Sequence, residues 1–275
     1  MFSITSLIFA CLIYYGAHGL SRPQIVGGID APDGLYPYQV SLKDSYTKTH
    51  RCGGAIVSKR YIITAAHCLE LIGPYYPHNV DVDVGSNLLY SQTTYEAEEL
   101  IIHPNYNRTL AINDIGLIKL KKDIKFNSNT KPIALVSSDK NFDGVGGLIV
   151  TGWGNTSPDG PTPEHLQQIV VTGYSQETCA HTYDDISERQ VCTLLALGKG
   201  ICSGDSGGAL IYNGELVGIA SFGREGPCAA GFPDVFTRVF HYRDWVNKYI
   251  NAGCNQQLNI LLGLFTMYLC IHSFS

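Results

Sequence analysis

Charge is scarce in this sequence, and the charges present form no pattern. Asp, Glu, Lys and Arg make up 16% of the 275 residues, against 45% hydrophobic and 11% aromatic, and the net charge is −5. Such a composition excludes a disordered chain, which needs the opposite balance. Lys and Arg are scattered and the sequence pI is near 6.0, so there is no basic stripe to hold phosphates and no nucleic acid is expected as a partner. No Cys-x-x-Cys pair occurs, which removes zinc-site spacing. Internal repeats and low-complexity segments are missing too. The apolar run Leu7–Ile13 is too short to span a bilayer comfortably.

Glycine, with 29 residues, is plentiful, and its cost inside helices favours a turn-rich β protein. Between about residue 25 and residue 250 the chain reads as many short strands. Val80–Val84 alternates with period two, while Asp114–Leu120, Gly147–Val150 and Gln168–Val171 are short apolar runs bounded by turn residues. Ala209–Tyr212 and Glu215–Ile219 flank Asn213-Gly214, a pair suited to a tight hairpin. The one persuasive helix is Tyr242–Asn251, with Trp245, Val246, Tyr249 and Ile250 on one face. Lys121–Ser138 is polar and reads as the join between two halves.

The termini indicate processing. Leu7–Ile13 precedes Ala17-His18-Gly19, a small-x-small pattern, so residues 1–19 are expected to be a signal peptide and 20–24 a short propeptide. A secreted body, residues 25–251, would keep Cys52, Cys68, Cys179, Cys192, Cys202 and Cys228, and six cysteines allow about 15 pairings. Residues 252–275 end in the apolar stretch Leu258–Ile271, behind Asn251-Ala252-Gly253. That tail reads as a glycosylphosphatidylinositol-anchor signal, as a retained apolar extension, or as a segment linked through Cys254.

Three separated segments carry chemistry: Thr64-Ala65-Ala66-His67-Cys68, Asn113-Asp114-Ile115 and Gly204-Asp205-Ser206-Gly207-Gly208. A serine hydroxyl is a poor nucleophile at neutral pH. It needs an imidazole to take its proton and a carboxylate to hold that imidazole in one tautomer.

With Ile25-Val26-Gly27-Gly28, Cys52-Gly53-Gly54, Thr151-Gly152-Trp153-Gly154 and the helix near Trp245, these segments resemble the chymotrypsin-like serine peptidases. The resemblance covers nearly the whole body. It implies an all-β fold of two packed antiparallel six-stranded barrels with a C-terminal helix, split near residues 121–138. It pairs Cys52 with Cys68, Cys179 with Cys192, and Cys202 with Cys228. It assigns Ser206 as nucleophile, His67 as general base, Asp114 as its orienting carboxylate, and the N–H groups of Gly204 and Ser206 as the oxyanion hole. It also implies a monomeric zymogen, cut before Ile25 by an activating protease so that the new amino group pairs with Asp205. Protein or peptide substrates and protein protease inhibitors are the implied partners, and no metal or cofactor is implied. The alternative is a non-catalytic binding protein on the same fold.

Several positions depart from the family's usual pattern. Gln24 precedes Ile25 where Arg or Lys is usual, Ala209 replaces a Pro, and Phe222 replaces a Trp. Six residues before Ser206 stands Gly200, not the Asp of trypsin-like members, while Asp234 falls on the opposite wall where chymotrypsin has Gly. Gly200 with Asp234 resembles the crustacean collagenolytic proteases and some insect chymotrypsins. With Ile201, Ser221 and Gly223, the pair implies a pocket for large apolar or aromatic residues that accepts Arg or Lys less well. Asn107-Arg108-Thr109 and Asn155-Thr156-Ser157 are N-glycosylation acceptors.

Overall fold

The computed structural model describes residues 25–73, 76–224 and 226–251. The expected signal peptide, propeptide and C-terminal tail lie outside these residues. Within them, fourteen strands build two barrels.

A short strand β1 (Ile29–Asp30) comes first. The first barrel then closes in the order β2 (Gln39–Asp44), β3 (His50–Ile56), β4 (Tyr61–Thr64), β7 (Gly116–Leu120), β6 (Thr93–Ile102), β5 (Val80–Val84), with every pairing antiparallel. Residues 121–133 join it to the second half. There, β8 (Ala134–Leu135) lies parallel to β13 (Glu215–Phe222), outside the ring. The second ring runs β9 (Leu148–Gly152), β10 (Gln167–Tyr174), β11 (Gln190–Leu194), β14 (Asp234–Arg238), β13 (Glu215–Phe222), β12 (Ala209–Tyr212), and β9–β10 pairing closes it. The expected hairpin joins β12 to β13 through Asn213 and Gly214, both at positive φ (51° and 78°), the requirement of a type I′ turn.

Two expectations need revision. The final helix, α3 (Arg243–Ile250), starts one residue later than the apolar pattern predicts, because a 3₁₀ turn, Val239–Tyr242, leads into it. Two shorter helices, α1 (Ala66–Ile72) and α2 (Gln176–Cys179), gave no periodic signal at that length. Strand β5 differs in burial. Alternation of Val and Asp predicts one wet face, but all five residues are buried. The neighbouring strand and turn supply lysines: Lys43 Nζ donates to Asp83 Oδ2 and to the Leu89 carbonyl, both at 2.6 Å, and Lys48 pairs with Asp81. A carboxylate is buried on this strand only because a cation meets it there.

Each barrel is also held by a piece of the other half of the chain. β1, which precedes the first barrel, pairs with β10 of the second. At the far end, Trp245 of α3 and Tyr242 before it pack edge-on against His103 of the first barrel, with ring centroids 5.0 and 5.3 Å away. Among the described residues the disulfides are Cys52–Cys68, Cys179–Cys192 and Cys202–Cys228, the pairing that the resemblance implied. Each closes a short loop, a constraint worth about 3 kcal/mol in chain-entropy terms. No helix among the described residues is long and apolar enough to cross a membrane.

Candidate active site

Asp114 organises the junction between the barrels. It follows Asn113, whose left-handed φ of 55° is tolerable for Asn and turns the chain inward. Asn113 is held in turn, since its side chain accepts from Tyr242 Oη and donates to the Asn105 carbonyl. Asp114 is 1% exposed, and a buried carboxylate needs donors. His67 sits in the first turn of α1, where backbone N–H groups have no helical partner. Its N–H donates to Asp114 Oδ1 at 2.9 Å, and its Nδ1 lies 2.7 Å from Oδ2. An ionised carboxylate only accepts, so Nδ1 carries the proton and Nε2 keeps a lone pair. The second barrel contributes the rest: Ser221 Oγ donates to Oδ2 at 2.6 Å and Thr237 Oγ1 to the Asp114 carbonyl at 2.7 Å.

Ser206 lies on the loop between β11 and β12 and is fixed to the first barrel, its carbonyl accepting from Gly53 N at 2.7 Å. This contact needs glycine on both sides, because a Cβ on Gly53 would stand 2.9 Å from Gly208 Cα. Gly207, at φ 76°, is packed against Thr64 and Ala65, the residues leading into α1. His67 and Ser206 are thereby brought to one seam. Among the described residues the Ser206 hydroxyl makes no hydrogen bond to His67, and Nε2 lies 3.6 Å from Cys68 Sγ. Catalytic hydrogen bonds are often long in a site without substrate.

The loop before Ser206 is built around Asp205, which is fully buried. Its oxygens accept from Gly154 N and Cys202 N, and burial pushes its pKa up to about 6. A side chain at Gly152 or Gly154 would collide with this carboxylate, which is the physical reason for glycine at both positions of Thr151–Gly154. Ile25 is buried as well, and the Val26 carbonyl accepts from Gly200 N at 3.1 Å. Gly204 has φ 102°, and a Cβ there would press on Gly154 and His50.

His50 was not singled out by the sequence. Its Nε2 lies 2.9 Å from the Gly204 carbonyl and its Nδ1 2.8 Å from Ser41 Oγ. Burial lowers its pKa to about 4, so the ring is neutral near pH 7. A carbonyl only accepts, which makes Nε2 the protonated nitrogen and Ser41 the donor to Nδ1.

Beside Ser206 opens a cavity of about 210 Å³, lined by Ile201, Ser221, Gly223, Phe232 and Asp234 among others. Asp234 Oδ2 accepts from Ile201 N at 3.1 Å. Gly200 is underneath: a Cβ at that position would stand 2.9 Å from the same oxygen. Gly200, where trypsin-like members carry Asp, is therefore covered by the carboxylate that the sequence placed on the opposite wall. At the mouth the Arg224 guanidinium lies 4.0 Å over the Phe232 ring. A broad groove continues past Arg224 and Tyr183 to Thr109, Leu110 and Ala111. Asn107 is exposed just before that loop, and Asn155 is half-buried, its N–H bound to the Ser203 carbonyl. Cys52, His67 and Cys68 are close enough to suggest a metal site, but both sulfurs are in a disulfide and offer no thiolate.

The sequence pattern of the family described as "Trypsin" matches residues 25–246. "Chymotrypsin-2" of Vespa crabro is 48% identical over 227 residues, spanning 82% of this chain and 99% of the hornet protein. "Trypsin II-P29" of Gallus gallus is 36% identical, over 92% of this chain and 98% of its own length. "Brachyurin" of Leptuca pugilator is 36% identical, over 81% of this chain and 96% of its own length.

Proposed function

The chain belongs to the trypsin family of serine endopeptidases, and from that premise we propose that it hydrolyses peptide bonds through an acyl-enzyme on Ser206, preferring substrates with a large apolar or aromatic residue before the scissile bond. The observation that carries this reading is the shared seam: a protonated Nδ1 locked on buried Asp114 leaves His67 Nε2 as a base, beside a cavity that Ser206 lines.

In the first half-reaction Ser206 Oγ attacks the substrate carbonyl carbon while its proton passes to His67 Nε2. The N–H groups of Gly204 and Ser206 stabilise the oxyanion, which exists only near the transition state. The tetrahedral species collapses, the C–N bond breaks, and the amine leaves with the proton from His67. Water then attacks the ester by the same route in reverse roles, releasing the acid and restoring Ser206. Asp114 stabilises the imidazolium formed in each half.

Ile201 and the cavity's backbone walls favour burial of Phe, Tyr or Leu, worth about 1.5 to 3 kcal/mol, while Asp234 gives Arg and Lys a secondary foothold. An activating protease would cut before Ile25, placing an ammonium against Asp205. The expected signal peptide and the three disulfides among the described residues support secretion, and the enzyme would act as a monomer open to protein inhibitors. A glycan on Asn107 would crowd the groove, one on Asn155 would sit by Ser203, and a glycosylphosphatidylinositol anchor would hold the enzyme on the cell surface. Labelling of the cut protein by a fluorophosphonate, lost in Ser206→Ala, tests the catalytic reading and separates it from a binding protein. Cleavage of matched peptides ending in Phe, Leu and Arg tests the preference.

A further inference from the structure

A carboxylate at the base of a binding cavity ordinarily has a cation beside it, and Asp234 has none among the described residues. Its surroundings can be taken element by element. From the loop before Ser206 come the Ile201 N–H, which donates to Oδ2, and the like charge of Asp205, which repels. From the loop after α2 comes Tyr183, a neutral phenol spent on the Pro233 carbonyl. Beyond β13, Arg224 lies on Phe232 at the mouth. Lys199, next to Gly200, is exposed and packs its stem toward Gly27. Directly opposite Asp234 in the β11–β14 ladder, Thr193 carries a buried hydroxyl with no hydrogen-bond partner among the described residues.

Asp234 Oδ1, the oxygen nearer Gly223, is not used in any hydrogen bond among the described residues. A carboxyl in this position has two ways to be stable. It can hold a proton and stay neutral, or it can lose the proton and take a cation from outside. An apolar substrate side chain suits the first state, since it brings no charge and further removes water. An Arg or Lys side chain suits the second.

We propose that Asp234 makes the choice between apolar and cationic substrate side chains depend on pH: with its carboxyl protonated the pocket is neutral and selects Phe, Tyr or Leu, and with the proton lost it selects Arg or Lys as well. The inference rests on the peptidase reading of the same site and deepens it. Loss of water is the largest cause that pushes the Asp234 pKa up to about 7 in the uncut chain, with the charge of Asp205 a smaller one; an ammonium on Asp205 would offset only that smaller part, so the two states exchange in the range where such an enzyme would work. The ionised form is favoured above that value and the neutral form below it. Selection for cationic residues therefore grows as pH rises.

The experiment measures kcat/KM for two peptides that differ only in Phe or Arg before the scissile bond, from pH 5.5 to 8.5, with the full chain cut before Ile25. Neither substrate side chain titrates in that range, and any ionisation that affects both peptides alike cancels in the ratio. The Arg/Phe ratio is expected to rise about tenfold between pH 6 and 8, the change in ionised fraction for one group titrating midway. In Asp234→Asn, which keeps the shape and an acceptor for Ile201 N–H, the ratio is expected to be flat. A flat ratio in the unsubstituted enzyme, with both peptides cleaved, overturns the inference and leaves the peptidase reading standing. An equal rise in Asp234→Asn overturns it too, because another group then titrates. If neither peptide is cleaved, the peptidase reading falls and takes the inference with it.

Discussion

His50 donates from Nε2 to the carbonyl of Gly204 at 2.9 Å, across the boundary between the two barrels. The peptide group of Gly204 is thus gripped at its neighbouring carbonyl, which fixes how the loop before Ser206 is turned. His50→Phe keeps an aromatic ring against Trp153 and removes both ring nitrogens. Since one oxyanion donor is worth about 3 kcal/mol in the transition state, kcat is expected to fall about a hundredfold with KM little changed. Steady-state kinetics on an apolar peptide checks the split; a change confined to KM would contradict a positioning role.

Ser206 and His67 act in one step, so their removals should not add. Ser206→Ala, His67→Ala and the double variant are each expected to lower kcat by a similar factor, on the order of 10⁶ as in the subtilisin example. Ser221→Ala removes only one donor to Asp114 and should cost about tenfold, about 1.4 kcal/mol. Losses that sum in the double variant would argue against a shared proton transfer.

Among the buried groups, Asp205 and Asp234 tilt stability with pH in one direction and His50 in the other in the chain uncut before Ile25. Asp205 has its pKa raised from 3.8 to about 6, so between those values the folded state binds the extra proton and stability falls as pH rises. His50 has its pKa lowered from 6.5 to about 4, so there the unfolded state binds the proton and stability rises with pH. Each shift corresponds to about 3 kcal/mol. Relative to the unsubstituted chain, denaturant unfolding of Asp205→Asn from pH 4 to 6.5 should show a slope shifted toward rising stability. His50→Phe should shift that slope toward falling stability over the same window.

The buried ion pair on the outer face of the first barrel should be costly to break and cheap to replace. Lys43→Met leaves Asp83 charged and enclosed and is expected to destabilise by about 3 to 5 kcal/mol. Lys43→Met with Asp83→Val restores an apolar pairing and should recover most of that loss. Chemical denaturation of the two variants decides it.

Much of the site was legible because its parts lie in short runs with their own chemistry. Ser206 among its glycines and His67 beside Cys68 are local signals, and both lie at the seam. Legibility ended where a partner comes from far along the chain. Ser221 was read only as a pocket residue and Thr237 was not singled out, yet both hold Asp114, from 107 and 123 residues away. A lone hydroxyl in a strand has no spacing that announces such a bond. The strand β5 misled for a related reason: alternation reports which side chains share a face, and cannot report that Lys43 and Lys48 wait on the polar one. Asp234 was read as a wall residue, whereas its burial against Ile201 N–H depends on Gly200 having no side chain.

The crossed arms at the two ends of the chain bear on how the molecule comes apart. Because β1 is stitched to β10 while Trp245 and Tyr242 are wedged against His103, neither barrel can melt without stripping a piece from its neighbour. Two rings that look separable should behave as one cooperative unit, with a single unfolding transition and coincident probes. Fragments made by cutting the connection at residues 121–133 would each lack a piece of their own wall. They would be expected to regain structure only when mixed, the first fragment bringing β1 and the second bringing α3.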